Sequence, residues 1–221
     1  MITSHHNDTL KDIRRLLRRR DGTRFVAEGE DLLAAAEQAG WSPELRLRAG
    51  VDVTEEALAR VSALGSGTRE LAVYEQRWAP APLGPVSVYL HCVGDPGNVG
   101  TILRGALAFG AGSVVLGPGC ADPFGPKAVR ASMGAIFAVP VVRAELEDCP
   151  RPRIALVSRA GAALAGPRTG TLVVGAERDG LPPDVVDQCE EVGHIPIASE
   201  SLNAAMAATV GLYEWTRKVA R

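Results

Sequence analysis

The chain has 221 residues, 46% of them apolar and 23% charged, with a formal net charge of −2. That length suits one large domain or two small ones, and the composition excludes wholesale disorder. The near-neutral balance excludes a protein that holds nucleic acid by bulk charge alone. No stretch reaches the roughly 18 apolar residues of a membrane span, and the opening MITSHHNDTLKDIRR lacks the apolar core of a secretion signal. Four cysteines, at 92, 120, 149 and 189, include no CxxC pair. That pattern speaks against a zinc knuckle or a disulfide framework and for reduced thiols in a cytoplasmic protein. No cluster of metal ligands is visible, so no metal is expected.

In chain order, Leu10, Ile13, Leu16 and Leu17 recur at helical spacing and predict an amphipathic helix in TLKDIRRLLRRR, with Asp8 or Thr9 as its cap. Its other face carries Lys11, Arg14, Arg15, Arg18, Arg19 and Arg20. Residues 1–24 hold seven basic and three acidic side chains, a local charge of +4 within a chain of −2. Such asymmetry marks either a polyanion-binding arm, with Arg14, Arg15, Arg18 and Arg19 as RNA contacts, or a merely solvated face. FVAEGEDLLAAAEQAG then reads as strand, turn and helix, residues 54–64 as a helix and 70–74 as a strand. This small α/β unit, residues 1–78, holds no catalytic constellation. APAPLGP (79–85), with three prolines and one glycine, leaves no room for a helix or paired strand and reads as a linker.

From residue 86 to 221 apolar, β-rich runs alternate with helical stretches. The runs are VSVYLHCV (86–93), SVVLG (113–117), IFAVPVV (136–142), RIALVS (153–158), TLVVGAE (171–177) and HIPIA (194–198). Helices are expected over 99–109, 126–133, 182–190 and 201–220. Near-continuous apolar strands alternating with helices predict a parallel sheet covered on both faces. Ligands of such sheets bind at the carboxyl ends of the strands, here the loops after residues 93, 158, 175 and 197.

Three of those loops carry candidate chemistry. In DPGNVGTILRG, Pro96, Gly97 and Gly100 form a close-approach turn and Asn98 takes the place of a helix cap. Arg104 follows six residues on, about two turns in and near the cap's side. The arrangement is either an anion or oxyanion site or a structural loop. GAERDGLP (175–182) sets Glu177 between two glycines. HIPIASESLNAAMAATVGLYEW opens a long helix at Ser201, with Asn203 in its first turn, where Ser201 also reads as a plain cap. His194 reads as a packing residue. No GxGxxG follows a strand, so the usual dinucleotide cradle is missing.

Taken together, DPGNVGTILR with AFGAGSVVLGPGCADPFGPKAVRASMGA, then LVVGAERDGL, then IPIASESLN resemble the three motifs of the SpoU–TrmH branch of SPOUT methyltransferases, in order and spacing, over residues 86–220. Residues 5–80 more weakly resemble the ribosomal-protein-like RNA-binding domain that many of these enzymes carry, in shortened form. The resemblance implies an α/β protein whose C-terminal parallel-sheet domain holds a trefoil knot. It implies a homodimer, S-adenosylmethionine as cofactor and methylation of a ribose 2′-hydroxyl in structured RNA, ribosomal RNA before transfer RNA. An inactive RNA-binding protein of the same fold, or a base methyltransferase, are the competing readings. Carried over residue by residue, the catalytic set is Arg104, Asn98, Glu177, Ser201 and Asn203. The cofactor set is Leu156, Val157, Ser158, Gly175, Ile195 and Leu202, while Arg178 and Asp179 occupy positions free to vary. A guanidinium stays charged at neutral pH, so the resemblance is best served by Arg104 stabilising the developing alkoxide. Asn98 and Glu177 would orient it or the ribose, and Ser201 and Asn203 would shape the pocket floor. Leu202, Met206, Val210 and Tyr213 are expected to form one apolar stripe of the closing helix, at the dimer seam.

Overall fold

The computed structural model describes residues 1–18, 22–64 and 67–217. It opens with α1 (Asp8–Arg18), β1 (Arg24–Glu28), α2 (Glu30–Gln38), β2 (Leu45–Arg48), α3 (Glu55–Ala59) and β3 (Glu70–Glu75). The three strands form one antiparallel sheet in the order β1-β3-β2. Strand β2 escaped the sequence reading because its LRLR pattern is so short. Leu47 is buried while Arg46 and Arg48 face out, where Arg46 binds Glu37 and Glu70, both at 2.6 Å. Helix α3, capped by Thr54, ends well before the expected residue 64.

Residues 79–85 carry no helix or strand, as their prolines dictate. Beyond them come β4 (Val86–Leu90), α4 (Pro96–Phe109), β5 (Ser113–Leu116), α5 (Pro126–Ser132), α6 (Ala135–Ala138) and β6 (Val141–Arg143). The rest are β7 (Arg153–Leu156), β8 (Ala162–Ala163), β9 (Gly170–Val174), α7 (Pro183–Val186), β10 (Glu191–His194) and α8 (Ala204–Thr216). Seven strands make one sheet in the order β6-β5-β4-β9-β7-β10-β8, with every pairing parallel. Helices α4 and α8 lie side by side over it, close enough that a Cβ on Gly105 would stand 2.9 Å from Thr209 Oγ1.

Several expected boundaries move, each for a local reason. IFAVPVV is not one strand: it starts as α6, and Pro140, with no N–H to donate, separates that turn from β6. Of HIPIA only His194 belongs to a strand, since β10 ends there and Pro196 cannot continue a ladder. The 182–190 helix is only α7, and the closing helix starts at Ala204 rather than Ser201. Residues 218–220 of that expected helix lie outside the described residues.

The two sheets share one core. Phe25, Trp41 and Tyr74 of the first unit meet Phe124 and Phe137 of the second, with ring centroids 5.0 Å apart for Phe25–Phe124 and 5.3 Å for Trp41–Phe137. Trp41 Nε1 donates to the Phe137 carbonyl at 2.8 Å. The large unit is thereby held in a fixed setting against the small one.

Candidate active site

The chemistry-bearing loops converge at the carboxyl ends of β4, β7, β9 and β10, as a parallel sheet requires. Asp95 rather than Asn98 caps α4: its Oδ1 accepts from the backbone N–H groups of Gly97 (2.6 Å) and Asn98 (3.2 Å). The expected cap stood three residues late, although an acid before a proline at the first helical position is the stronger signal. Lys127 Nζ donates to Asp95 Oδ2 at 2.8 Å, and this bond is the main cause holding the Asp95 carboxyl below its usual range. Asn98, freed from capping, points into the site.

Asn98 joins all three loops. Its Nδ2 donates to Glu177 Oε1, and its Oδ1 accepts from Asn203 Nδ2 at 3.1 Å. Asn203 in turn caps α8, its Oδ1 accepting from Ala205 (3.0 Å) and Met206 (3.3 Å) N–H. Ser201 is therefore not the cap. Glu177 sits in a tight loop closed by paired backbone bonds between Ala176 and Gly180, at 3.1 and 3.0 Å.

That loop is the wall between two cavities. The first, about 330 Å³, is lined by Leu156, Val157, Ser158, Gly175, Ile195 and Leu202, the whole expected cofactor set, together with Glu177 and Ser201. Its size falls within the ~300–1,000 Å³ of small-molecule sites. The second is larger and more open, about 640 Å³, with Asp95, Asn98, Thr101 and Asn203 around it. Glu177, Arg178 and Asp179 face both. Asp95, Thr101 and the pair Arg178–Asp179 line these cavities and Lys127 pairs with Asp95, and the sequence reading selected none of them.

Arg104 is the exception. It is exposed, lines neither cavity, and its side chain makes no hydrogen bond or ion pair among the described residues. Six residues of α-helix turn through about 600°, which leaves it roughly 120° from Asn98 and not on its side. It shares the outer face of α4 with Leu107. Leu107, Met206 and Tyr213 are 48%, 56% and 50% exposed, and the Phe109 and Tyr213 rings meet at 5.8 Å. The expected stripe on α8 thus divides: Met206 and Tyr213 are on its outer side, whereas Leu202 precedes the helix and lines the first cavity.

On α1, Leu10, Ile13 and Leu16 are buried as expected. Arg15 pairs with Asp12 at 2.6 Å, whereas Arg14 and Arg18 have no ion pair among the described residues. Arg19 lies outside the described residues. His194 lines neither cavity, and its Nδ1 is buried without a hydrogen-bond partner among the described residues. Among the described residues no group of side chains could hold a metal ion, and no helix is long and apolar enough to cross a membrane.

A parallel sheet with two cavities sharing one motif loop defines the protein's class: residues 85–213 match the SpoU rRNA methylase family, and the chain belongs to it. Among relatives, it is 29% identical to the 23S rRNA (guanosine(2553)-2′-O)-methyltransferase RlmP of Bacillus subtilis (strain 168), over 96% of this chain and 97% of that protein. The crystal structure of an AdoMet-bound rRNA methyltransferase from Sinorhizobium meliloti superposes with a TM-score of 0.84 at 29% identity, over 96% of this chain and 95% of that one. A structure concerning 2-OH methylation of C/U34 on tRNA is 31% identical with a TM-score of 0.53, but covers only 59% of this chain and 95% of its own.

Proposed function

We propose that this chain transfers a methyl group from S-adenosylmethionine to a ribose 2′-hydroxyl of ribosomal RNA. One observation carries the reading: four separate stretches, at 156–158, 175, 195 and 202, bring the complete expected cofactor set to one cavity. The residues fit the group. Leu156, Ile195 and Leu202 offer apolar walls for a purine ring, and Glu177 and Asp179 face the cavity as carboxylates for a cationic sulfonium. The donor supplies an activated methyl; the rest is the chain's task. Asn98, held by Glu177 and Asn203, orients the ribose in the second cavity, and Ser201 and Leu202 bound the floor.

Ribosomal RNA is favoured over transfer RNA because the rRNA enzymes match both units, whereas the tRNA structure covers little more than half of the chain. In this reading residues 1–78 are the substrate-binding domain, 79–85 the linker and 86–221 the transferase domain, with α1 presenting its arginines to RNA. A trefoil knot is part of the proposal: β10 is the later strand, yet it lies between β7 and β8, within the loop that joins them. The four cysteines are free thiols, which suits a reducing cytoplasm.

The position of Arg104 supports a homodimer. A charge stabiliser for the alkoxide must stand at the acceptor cavity, and Arg104 does not reach its own. It borders the exposed apolar side of α4 and α8, the natural seat of a second copy, which would receive it. Met206→Glu should then give a folded monomer without transfer, checked by sedimentation and circular dichroism. A wild-type monomer with full activity would refute the dimer.

The reaction is tested by incubating the protein with labelled S-adenosylmethionine and deproteinised ribosomal or transfer RNA, followed by mass spectrometry of nucleosides. A 2′-O-methylated nucleoside from ribosomal RNA is expected. A methylated base, or label in transfer RNA alone, would overturn the assignment.

A further inference from the structure

Between the two units lies a separate cleft of about 190 Å³. Its walls come from the last turn of α1, from β1, and from residues 122–127 entering α5, and Gln76 and Pro96 line it too. Among the described residues three cations line it, Arg18, Arg24 and Lys127, with one carboxylate, Asp122. Arg24 is held by Asp12 at 3.1 Å and Glu44 at 3.9 Å. Arg18 is exposed and has no ion pair among the described residues. Lys127 is half-exposed, and its one ion pair among the described residues is with Asp95, which lines the acceptor cavity.

Continuity decides what such a cleft can hold. Pro96, which lines it, stands in the chain between Asp95 and Gly97, both of which line the acceptor cavity. An RNA strand with one ribose in that cavity carries a phosphate at every flanking nucleotide. Leaving toward α1, it passes Lys127 first and Arg18 next. A half-exposed Lys–Asp pair is worth at most about 1 kcal/mol, so a phosphate competes readily for the Lys127 ammonium. The aromatic contacts between the units fix the cleft's width before any RNA arrives.

We propose that this cleft seats the RNA backbone flanking the target nucleotide, with Arg18 and Lys127 as its phosphate contacts. The inference rests on the methyltransferase reading above and adds a path from the arginine helix to the reacting ribose. Phosphate contacts carry no sequence information; they set register. Lys127 is thus a positioning residue.

The test uses the full chain and fluorescently labelled, deproteinised ribosomal RNA, with binding measured over a salt series. The double variant Arg18→Gln/Lys127→Gln should weaken binding on the order of ten-fold. It should also lower the slope of log affinity against log salt by roughly 0.7–0.9 for each lost contact. Affinity for S-adenosylmethionine, measured by calorimetry, should not change, and Lys127→Arg should restore most of the slope. RNA carrying 4-thiouridine should cross-link to peptides spanning residues 122–127. An unchanged slope, or cross-links confined to surfaces away from the cleft, would overturn the proposal even if the wild type methylates ribosomal RNA. A wild type that binds RNA through the cleft yet transfers nothing would instead sink the enzymatic reading and leave the cleft standing.

Discussion

The two sheets meet one requirement, two covered faces, by different routes. The seven-stranded sheet is covered by its own helices, and its strands β4, β5 and β9 are buried at every residue. The three-stranded sheet covers one face with α1 and α3, where Val26, Leu71 and Val73 meet Leu10, Ile13 and Leu58. Its other face, with Phe25, Ala27 and Tyr74, is closed by α2 and by Phe124 and Phe137 of its neighbour. A proline-rich linker therefore does not make the small unit independent. It borrows part of its core.

Trp41 is where that dependence is most exposed to test, and it should give the largest effect. It packs edge-on to Phe25, Tyr74 and Phe137 and donates to the Phe137 carbonyl. Trp41→Ala should cost about 3–5 kcal/mol, and in calorimetry the small unit should unfold at a lower temperature than the large one. A single transition at the wild-type temperature would show that the sheets stand without this contact.

Next in size is Arg104→Ala, which probes a site instead of a core. Loss of one charge-stabilising donor typically costs about 10²–10³ in turnover, while affinity for S-adenosylmethionine should stay within a few-fold because Arg104 is remote from that cavity. The pair of measurements, turnover and calorimetric affinity, separates the two roles. A variant with wild-type turnover would remove Arg104 from the mechanism.

The same contrast governs what could be read beforehand. The large unit was legible because fully buried parallel strands are continuous apolar runs, and because its loops carry a motif order. Within it, IFAVPVV misled because an apolar run of seven fits a strand or a buried turn equally, and only Pro140 hinted at the break. In the small unit β2 went unseen, since four residues alternating leucine with arginine give too little periodicity. At the site, residue types were legible and directions were not. Asn98 was found but given the role of Asp95, and Arg104 was placed on Asn98's side when helix geometry turns it outward. Lys127 left no signal, because its partner Asp95 is 32 residues away in sequence.

A smaller effect is expected where Asn203 combines a cap with a contact to the site. Asn203→Ala should lose about 1 kcal/mol through the cap, read in thermal melts, and reduce transfer as well. Asn203→Asp keeps the acceptor for the Ala205 and Met206 N–H groups but has no N–H to give Asn98. It should melt like the wild type and still transfer poorly. If Asn203→Asp matches the wild type in both, the contact to Asn98 is dispensable.

The mildest effect should come from the opposite end of the large sheet, away from the carboxyl-end loops. Glu190 accepts from Arg153 through its backbone N–H (2.7 Å) and Nη2 (2.9 Å) and from Arg151 Nη1 (2.6 Å). Hydrogen bonds from Arg153 are the chief cause that brings the Glu190 carboxyl down to about 2 from its ordinary 4.5. A carboxyl lowered in the folded state binds its proton more readily when unfolded, so the stability it contributes is complete above about pH 4.5 and is lost as pH falls toward 2. Glu190 is still 30% exposed, which screens the pair and keeps the effect modest. Glu190→Gln should therefore melt somewhat below the wild type at pH 7, and the gap should close on titration from pH 4.5 toward 2. Transfer at neutral pH should survive, because Glu190 and Arg153 stand at the amino ends of β10 and β7, whereas both cavities lie at the carboxyl ends. Melting curves that stay parallel across the titration would show that this pair does not set the acid response.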